Sequence, residues 1–274
     1  MPDLSAADFG VIFALGFPVY FRLGSLQLHP HVVFETLAYA GAFRLYLYER
    51  RRRGDVLDDT NRWWVIAAAA IGAVAGSRML YWLEDPSLAL HEWNNLAFLT
   101  GGKTIVGALI GGLFAVEWTK KRLSIAPRTG DLFAMPLCTG IAIGRIGCFL
   151  TGTDDHTVGA VTTLFWGVNF GDGVFRHPSQ LYESAFALLL LIFLWVRSKR
   201  PHPQGDIFKI FMVAYFSFRL VGDFLKPDVR IITGLSSIQW ACLLMLFYYR
   251  NDIHRWIRGA VETERQEEIA WTKS

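Results

Sequence analysis

The stretch GRIGCFLTG, residues 144–152, places a single arginine at the end of an apolar segment. Arg145 has no acidic neighbour in sequence. A guanidinium stays charged in proteins, and a charge near the bilayer centre costs at least ~2.5–3.5 kcal/mol on insertion scales. The arginine therefore needs a wet cavity or a partner from a distant segment. We expect a helical membrane protein with a polar site assembled between its spans.

The composition supports this class. The chain has 274 residues, of which 53% are hydrophobic, with 10 Trp and 21 Phe in runs separated by short charged loops. That pattern predicts an all-α polytopic membrane protein and not a soluble core. The net charge is only +3, and the basic residues form no lysine-rich tail or aromatic-basic patch. No nucleic-acid partner is therefore expected. The first residues lack a basic n-region, so no cleaved signal peptide is expected either.

The apolar runs predict about seven transmembrane helices, because a hydrocarbon core of about 30 Å needs roughly 17–25 helical residues. A shorter apolar stretch, residues 9–21, is interpreted as an interfacial helix. The whole chain, 1–274, is then one integral membrane domain with a transmembrane core at 31–250. The predicted spans are 31–49, 63–83, 99–118, 130–150, 178–196, 207–225 and 234–249.

Lysine and arginine residues alternate between the loops and set the orientation. The basic loops follow the first, third and fifth spans, and the tail at 251–274 is basic too. The N-terminus is therefore expected outside and the C-terminal tail in the cytoplasm. Residues 151–177 form the longest outer loop, and their strand-like VTTLFWGVNF stretch predicts a small extracytoplasmic cap.

Three spans carry pairs of glycines four residues apart, which lie on one helix face and allow close helix packing. We interpret these glycines mainly as packing sites. The pairs are Gly72 and Gly76, Gly107 and Gly111, and Gly140 and Gly144.

Two further arginines, Arg78 and Arg219, lie within or near the ends of spans. Asp223 follows Arg219 by four residues and shares its helix face, so a structural ion pair is one interpretation. For Arg145 and Arg219 we favour an anion site, since a planar guanidinium suits two phosphate oxygens. For Arg78 a structural and a functional role are equally open. The candidate acids in other spans are Glu35 and Glu183.

Several stretches resemble the bacterial prolipoprotein diacylglyceryl transferase family. GRIGCFLTG is similar to its signature, and RHPSQLYE at 176–183 matches another block almost letter for letter. The resemblance covers about residues 18–250 in order. Further similar blocks are GGKTIVGALIGG at 101–112, FRLVGDFLKPD at 218–228 and residues 234–240.

The resemblance implies a bacterial inner-membrane enzyme that moves the diacylglyceryl group of phosphatidylglycerol to a lipobox cysteine of a prolipoprotein. It implies that Arg145 holds the lipid head group and that Arg219 is a second essential arginine. The remaining predicted substrate-binding residues, some implied by the resemblance and some by their position, are Glu183, Asp223, Gly159, Gln180, Arg176, Cys148 and Gly147.

The sequence also departs from the family pattern. Val106 stands where the family has a histidine, and Cys148 stands where its signature has an asparagine. His31 or His156 could take over proton transfer, since histidine can act as a base near neutral pH. Alternatively, the acceptor differs, or the protein has lost catalysis and only binds lipid or a partner. A transporter is a weaker hypothesis, because no inverted repeat is visible.

No cofactor is predicted, and no metal site. The three cysteines form no CxxC pair. Residues 153–157 combine two aspartates with a histidine, but a solvated loop or a hydrogen-bonding rim is the favoured interpretation of that segment. For Cys148 a buried apolar cysteine is favoured over a nucleophile.

Overall fold

A computed structural model describes residues 16–227, 229–230 and 233–259. This part of the chain is mostly helical, with two short antiparallel hairpins. The helices are α1 (Pro30–Arg53), α2 (Asp59–Trp82), α3 (Pro86–His91), α4 (Leu96–Thr100), α5 (Ile105–Arg122), α6 (Asp131–Thr151), α7 (Ser179–Arg197), α8 (Asp206–Gly222) and α9 (Ser237–Tyr248). The strands are β1 (Phe21–Leu23), β2 (Leu26–Leu28), β3 (Val168–Asn169) and β4 (Phe175–Arg176).

The seven longest of these helices overlap the seven predicted spans. Three of them, α2, α6 and α7, are long and apolar enough to cross a membrane by length and composition. The predicted start of the third span at residue 99 is wrong, because α5 begins only at Ile105. The Thr104 hydroxyl caps that helix by accepting from the backbone N–H of Gly107, 3.2 Å away. A polar cap of this kind fixes where a helix begins.

The glycine pairs of α2 and α5 pack against each other, which confirms the packing interpretation. A Cβ atom at Gly76 would lie 2.8 Å from the Cα of Gly111, and one at Gly107 would lie 2.8 Å from the Cβ of Leu80. Only glycine allows the two backbones to approach this closely. The third pair is less tight, because a Cβ at Gly140 would lie 3.6 Å from the Cβ of Ala42.

Helices α6 and α8 both contribute strongly to the apolar core. The side chains of Phe211, Met212 and Phe216 are completely buried, together with Cys138 of α6. The outward faces of other helices carry exposed large apolar residues, such as Ile71 and Leu189. Apolar residues on both the inside and the outside of a helical bundle suit a protein surrounded by lipid.

The segment 151–177 contains the second hairpin. A short 3₁₀ helix, Gly152–Asp155, follows α6, and β3 then pairs with β4. The strand tendency seen in the sequence is thus realised over only two residues per strand, plus an isolated bridge from Val161 to Arg176. Phe170 packs against Phe149 and fixes this segment onto α6.

The N-terminal and C-terminal segments are only partly described. Of the predicted interfacial helix, residues 9–15 lie outside the described residues. Residues 16–20 are irregular, with a bend at 17–18, and residue 21 begins β1, so the prediction of a helix is wrong there. Of the predicted tail, residues 251–259 are helical and residues 260–274 lie outside the described residues.

Candidate active site

A buried carboxylate connects the two predicted site arginines. Oε2 of Glu183, near the start of α7, lies 2.9 Å from Nη2 of Arg145 on α6 and 3.0 Å from Nη1 of Arg219 on α8. The Tyr215 hydroxyl donates to Oε1 of the same carboxylate. Glu183 is 2% exposed, so these pairs lie away from bulk water. One acid therefore holds three helices together at a common polar centre.

A second buried carboxylate, Asp223, follows α8 and extends this centre. Its Oδ1 lies 3.4 Å from Nη2 of Arg219, as the four-residue spacing predicts. The Ser236 hydroxyl donates to Oδ2, and Nη1 of Arg230 lies 3.7 Å from that oxygen. Asp223 is completely buried, so this network ties the end of α8 to the start of α9.

Four members of this network were not predicted: Tyr215, Arg230, Ser236 and Gln239. A sequence signal existed for two of them, because Ser236 and Gln239 have the spacing of a capping box. The structure contains that box, with the Gln239 backbone N–H 3.1 Å from the Ser236 hydroxyl. The Gln239 side chain also accepts from Arg230 Nη1 at 2.7 Å.

The centre carries an excess of positive charge and unused hydrogen-bonding groups. Within the described part of the chain, its three arginines, Arg145, Arg219 and Arg230, pair with two carboxylates, Glu183 and Asp223. Among the described residues, the Nε atoms of Arg145 and Arg219 have no hydrogen-bond partner. Buried donors without partners are costly, so such a site favours an anion that accepts from them.

Gln180 lies one helical turn before Glu183 on α7. Its side chain is 1% exposed, yet neither its amide nitrogen nor its amide oxygen has a partner among the described residues. A buried amide in this state suits a ligand that offers both acceptor and donor groups. A glycerol phosphate head group has both.

A second polar cluster lies next to Arg145. His31 on α1, Cys148 on α6 and Asp155 in the following 3₁₀ helix bring one ligand-type atom each to within 4.8 Å of the others. His31 Nδ1 lies 3.4 Å from Asp155 Oδ1, and Cys148 Sγ lies 3.9 Å from Arg145 Nη1. The prediction of Cys148 as a buried apolar cysteine is wrong, because the residue is only partly buried and its thiol lies among polar groups.

A chain of polar contacts continues outward from His31. Its Nε2 atom lies 3.5 Å from Glu35 Oε2, and the other Glu35 oxygen accepts from Lys103 Nζ at 2.9 Å. On the other side of the cluster, the Thr157 hydroxyl donates to Asp155. Both ring nitrogens of His31 therefore face carboxylates.

The structure places the other predicted residues as follows. His156 is exposed and adopts a left-handed backbone with φ 55°. Arg176 pairs with Asp172 at 2.7 Å in the hairpin segment, and this pairing lowers the pKa of the Asp172 carboxyl. Arg78 donates to the backbone carbonyl of Gly102.

The two predicted site glycines make close packing contacts. A Cβ at Gly147 would lie 3.3 Å from the Phe34 ring of α1. A Cβ at Gly159 would lie 2.6 Å from the His177 carbonyl oxygen, and the Gly159 N–H donates to that oxygen at 3.0 Å. At both glycines, a neighbouring residue packs so closely against the backbone that a larger side chain would not fit without a shift.

Val106, at the position of the family histidine, is 1% exposed and belongs to the apolar core cluster with Leu80 and Leu109. An aliphatic side chain cannot accept a proton. If the family's chemistry persists in this chain, another group must take the proton that the family histidine would accept.

Comparisons with known proteins agree with the motifs. The family model described as prolipoprotein diacylglyceryl transferase matches residues 18–249. Three relatives bear the name phosphatidylglycerol–prolipoprotein diacylglyceryl transferase. They come from Geobacter sulfurreducens (31% identical, covering 78% of this chain and 84% of the relative), Polynucleobacter asymbioticus (31%, 84% and 92%) and Nitratidesulfovibrio vulgaris (32%, 81% and 86%). The chain belongs to the prolipoprotein diacylglyceryl transferase family.

Proposed function

We propose that this protein transfers the diacylglyceryl group of phosphatidylglycerol to the cysteine thiol of a prolipoprotein. The names of its relatives state this donor and this acceptor. The observation that carries the proposal is the buried cluster in which Arg145 and Arg219 share Glu183 while each keeps an unpaired Nε–H. Such a pair of guanidiniums is suited to a lipid phosphate.

The step is a displacement at carbon. The thiolate sulfur attacks the glyceryl carbon that carries the phosphate, a carbon–sulfur bond forms, and the carbon–oxygen bond breaks. The electron pair of the broken bond stays on the departing glycerol phosphate. Arg145 and Arg219 accelerate this step because their hydrogen bonds strengthen as negative charge grows on the leaving oxygen.

The acceptor thiol must lose its proton, and His31 is the better placed of the two predicted histidines. It lies between Asp155 and Glu35 and close to Cys148, which contacts Arg145. His156 is exposed, and within the described residues it makes no hydrogen bond or ion pair with the arginine cluster. We therefore assign His31 to the activation of the acceptor thiol.

We propose that all seven long helices cross a bacterial inner membrane, with the N-terminus outside and the C-terminus in the cytoplasm. Arg145 and Arg219 lie near the ends of α6 and α8, and Glu183 lies near the start of α7. All three are thus at the same end of the bundle as the segment 151–177. The basic run at 50–53 is at the end of α1, on the opposite side. The site then faces the outer side, under the proposed cap.

The test is a transfer assay with the full-length protein in vesicles of phosphatidylglycerol labelled in the diacylglyceryl group. A lipobox peptide is the acceptor, and label on its cysteine is the expected product. Arg145→Ala should lower the rate by about 10²–10³-fold, the usual effect of removing one charge-stabilising donor. Arg122→Ala is the matched control, since Arg122 lies over the Trp118 ring at the other end of the bundle. Undiminished turnover by Arg145→Ala would overturn the role of the arginine cluster.

A second candidate function is binding of lipid without catalysis. Val106 in place of the family histidine is the observation that favours it. In that case, the wild-type protein retains labelled lipid in the vesicle assay, and no label reaches the peptide or any other acceptor.

A further inference from the structure

We propose that His31, Cys148 and Asp155 form a binding site for a divalent transition metal of the zinc class, and that the open coordination position receives the acceptor thiolate. The second half of this inference rests on the proposed function. The first half, metal binding, stands on the geometry of the three side chains.

The ligand set and its spacing suit zinc. Imidazole nitrogen, thiolate sulfur and carboxylate oxygen are all zinc ligands, with bond lengths of about 2.0–2.3 Å. In a tetrahedral site, such bonds place nitrogen and oxygen roughly 3.3 Å apart. His31 Nδ1 and Asp155 Oδ1 lie 3.4 Å apart, and Cys148 Sγ lies within 4.8 Å of both. A small movement of the Cys148 thiol would bring all three ligand atoms to bonding distance from one metal ion.

The surrounding groups orient these ligands as in known zinc sites. A histidine that binds metal with one nitrogen usually donates its other ring N–H to a carboxylate. His31 Nε2 faces Glu35 at 3.5 Å, and Lys103 holds Glu35 in turn at 2.9 Å. The Thr157 hydroxyl donates to the Asp155 oxygen that does not face His31. Two of the three ligands therefore have a partner that orients them: Glu35 for His31, and Thr157 for Asp155.

Charge and access are also suitable. The Cys148 thiolate and the Asp155 carboxylate together neutralise a divalent ion, while Lys103 balances Glu35. Three protein ligands with an open fourth position are typical of catalytic zinc. The His31 side chain is 33% exposed and leaves room for a fourth ligand. Arg145 Nη1 lies 3.9 Å from Cys148 Sγ, so a thiolate on this metal would lie close to the lipid phosphate.

With the metal bound, His31 activates the thiol as a ligand and not as a base, because the metal stabilises the thiolate and no side chain has to accept the proton. The acceptor thiol binds, releases its proton to water, and stays on the metal as a thiolate. Its sulfur then attacks the glyceryl carbon, and glycerol phosphate leaves with the electron pair of the carbon–oxygen bond. The thioether product is a weaker ligand than a thiolate and leaves the metal. No oxidant or reductant is needed.

The first experiment measures metal binding by the purified full-length protein. After dialysis against a chelator, the protein is titrated with Zn²⁺ and, separately, with Co²⁺. One Zn²⁺ per chain and a sulfur-to-cobalt charge-transfer band are expected. Cys148→Ser should abolish the band, and His31→Gln and Asp155→Asn should each weaken binding. Glu35→Gln should weaken it by about 10–100-fold, the usual effect of losing such a supporting partner.

Matched controls come from the same loop. Asp154→Asn and His156→Ala change exposed residues on either side of Asp155, and both should keep full affinity for Zn²⁺. Wild-type protein that binds less than stoichiometric Zn²⁺ and Co²⁺ would overturn the site. So would binding that Cys148→Ser, His31→Gln and Asp155→Asn all leave unchanged.

A second experiment separates this inference from the proposed function. Lipobox peptide added to the Co²⁺-loaded protein should strengthen the charge-transfer band, whereas a peptide with serine in place of its cysteine should not. No response to the cysteine peptide would overturn the thiolate role. Label transfer that continues at the full rate in chelator-treated, metal-free protein would overturn the inference and leave the proposed function standing. Thiol-dependent spectral changes without any label transfer would instead refute the proposed function.

Discussion

Glu183→Gln is the substitution that tests the buried cluster most directly. Glutamine keeps the shape of the side chain but removes the negative charge that Arg145 and Arg219 share. Arg219 retains Asp223 at 3.4 Å, whereas Arg145 has no second acid within ion-pair distance among the described residues. The cost is therefore that of one uncompensated buried charge, about 3–5 kcal/mol. At roughly 2–4 °C per kcal/mol, the Tm should fall by about 6–20 °C.

The assay is thermal unfolding of the purified protein in detergent, followed by circular dichroism. Asp172→Asn is the control, because its pair with Arg176 is exposed to solvent and should contribute little to stability. Vesicles of phosphatidylglycerol should reduce the fall in Tm of Glu183→Gln more than vesicles of zwitterionic lipid do. The reason is that an anion that binds the folded state stabilises it. A Tm change no larger than that of Asp172→Asn would refute the reasoning.

Three further predictions concern other parts of the molecule. Arg219→Lys keeps the charge but loses the planar fork, so transfer to a lipobox peptide should slow by about 10²-fold while the Tm changes little. Gly111→Ala should lower the Tm markedly more than Gly112→Ala, because a Cβ at Gly111 would lie 2.8 Å from the Cα of Gly76, whereas one at Gly112 meets its nearest atom at 3.4 Å. Burial alone would raise the pKa of Asp55, but a hydrogen bond from Arg62 holds it below the ordinary value. The stability that the carboxylate provides should thus be present above pH ~4 and be lost as the pH falls further, and the Tm difference between wild type and Asp55→Asn should shrink in that range.

The sequence predicts the helices well because long apolar runs leave few alternatives to a helix in a bilayer. It also predicts that Arg145 and Arg219 need partners, since the cost of an unpaired buried charge does not depend on structural detail. It cannot predict which acid they share. Glu183 is 38 residues from Arg145 and 36 from Arg219 in sequence, and only the packing of α6, α7 and α8 brings the three together.

The least predictable parts are those set by local backbone geometry or by weak sequence signals. The start of α5 depends on the Thr104 cap, which a hydropathy window does not see. Tyr215 is an apolar-looking member of a helix until its hydroxyl is seen to reach Glu183. The sequence offers His156 as a candidate base and gives Asp155 no role, but the 3₁₀ turn after α6 directs Asp155 toward His31 and leaves His156 exposed.

The contacts of Lys103 show how an imidazole on α1 can take the place of the family histidine on α5. Lys103 lies three residues before Val106 and pairs with Glu35, which contacts His31. The start of α5 and the first turns of α1 therefore meet at the same end of the bundle. Val106, at the position of the family histidine, and His31 therefore lie on neighbouring helices, α5 and α1, around one site. Loss of the family histidine thus does not by itself imply loss of catalysis, because the neighbouring helix supplies an imidazole held between two carboxylates.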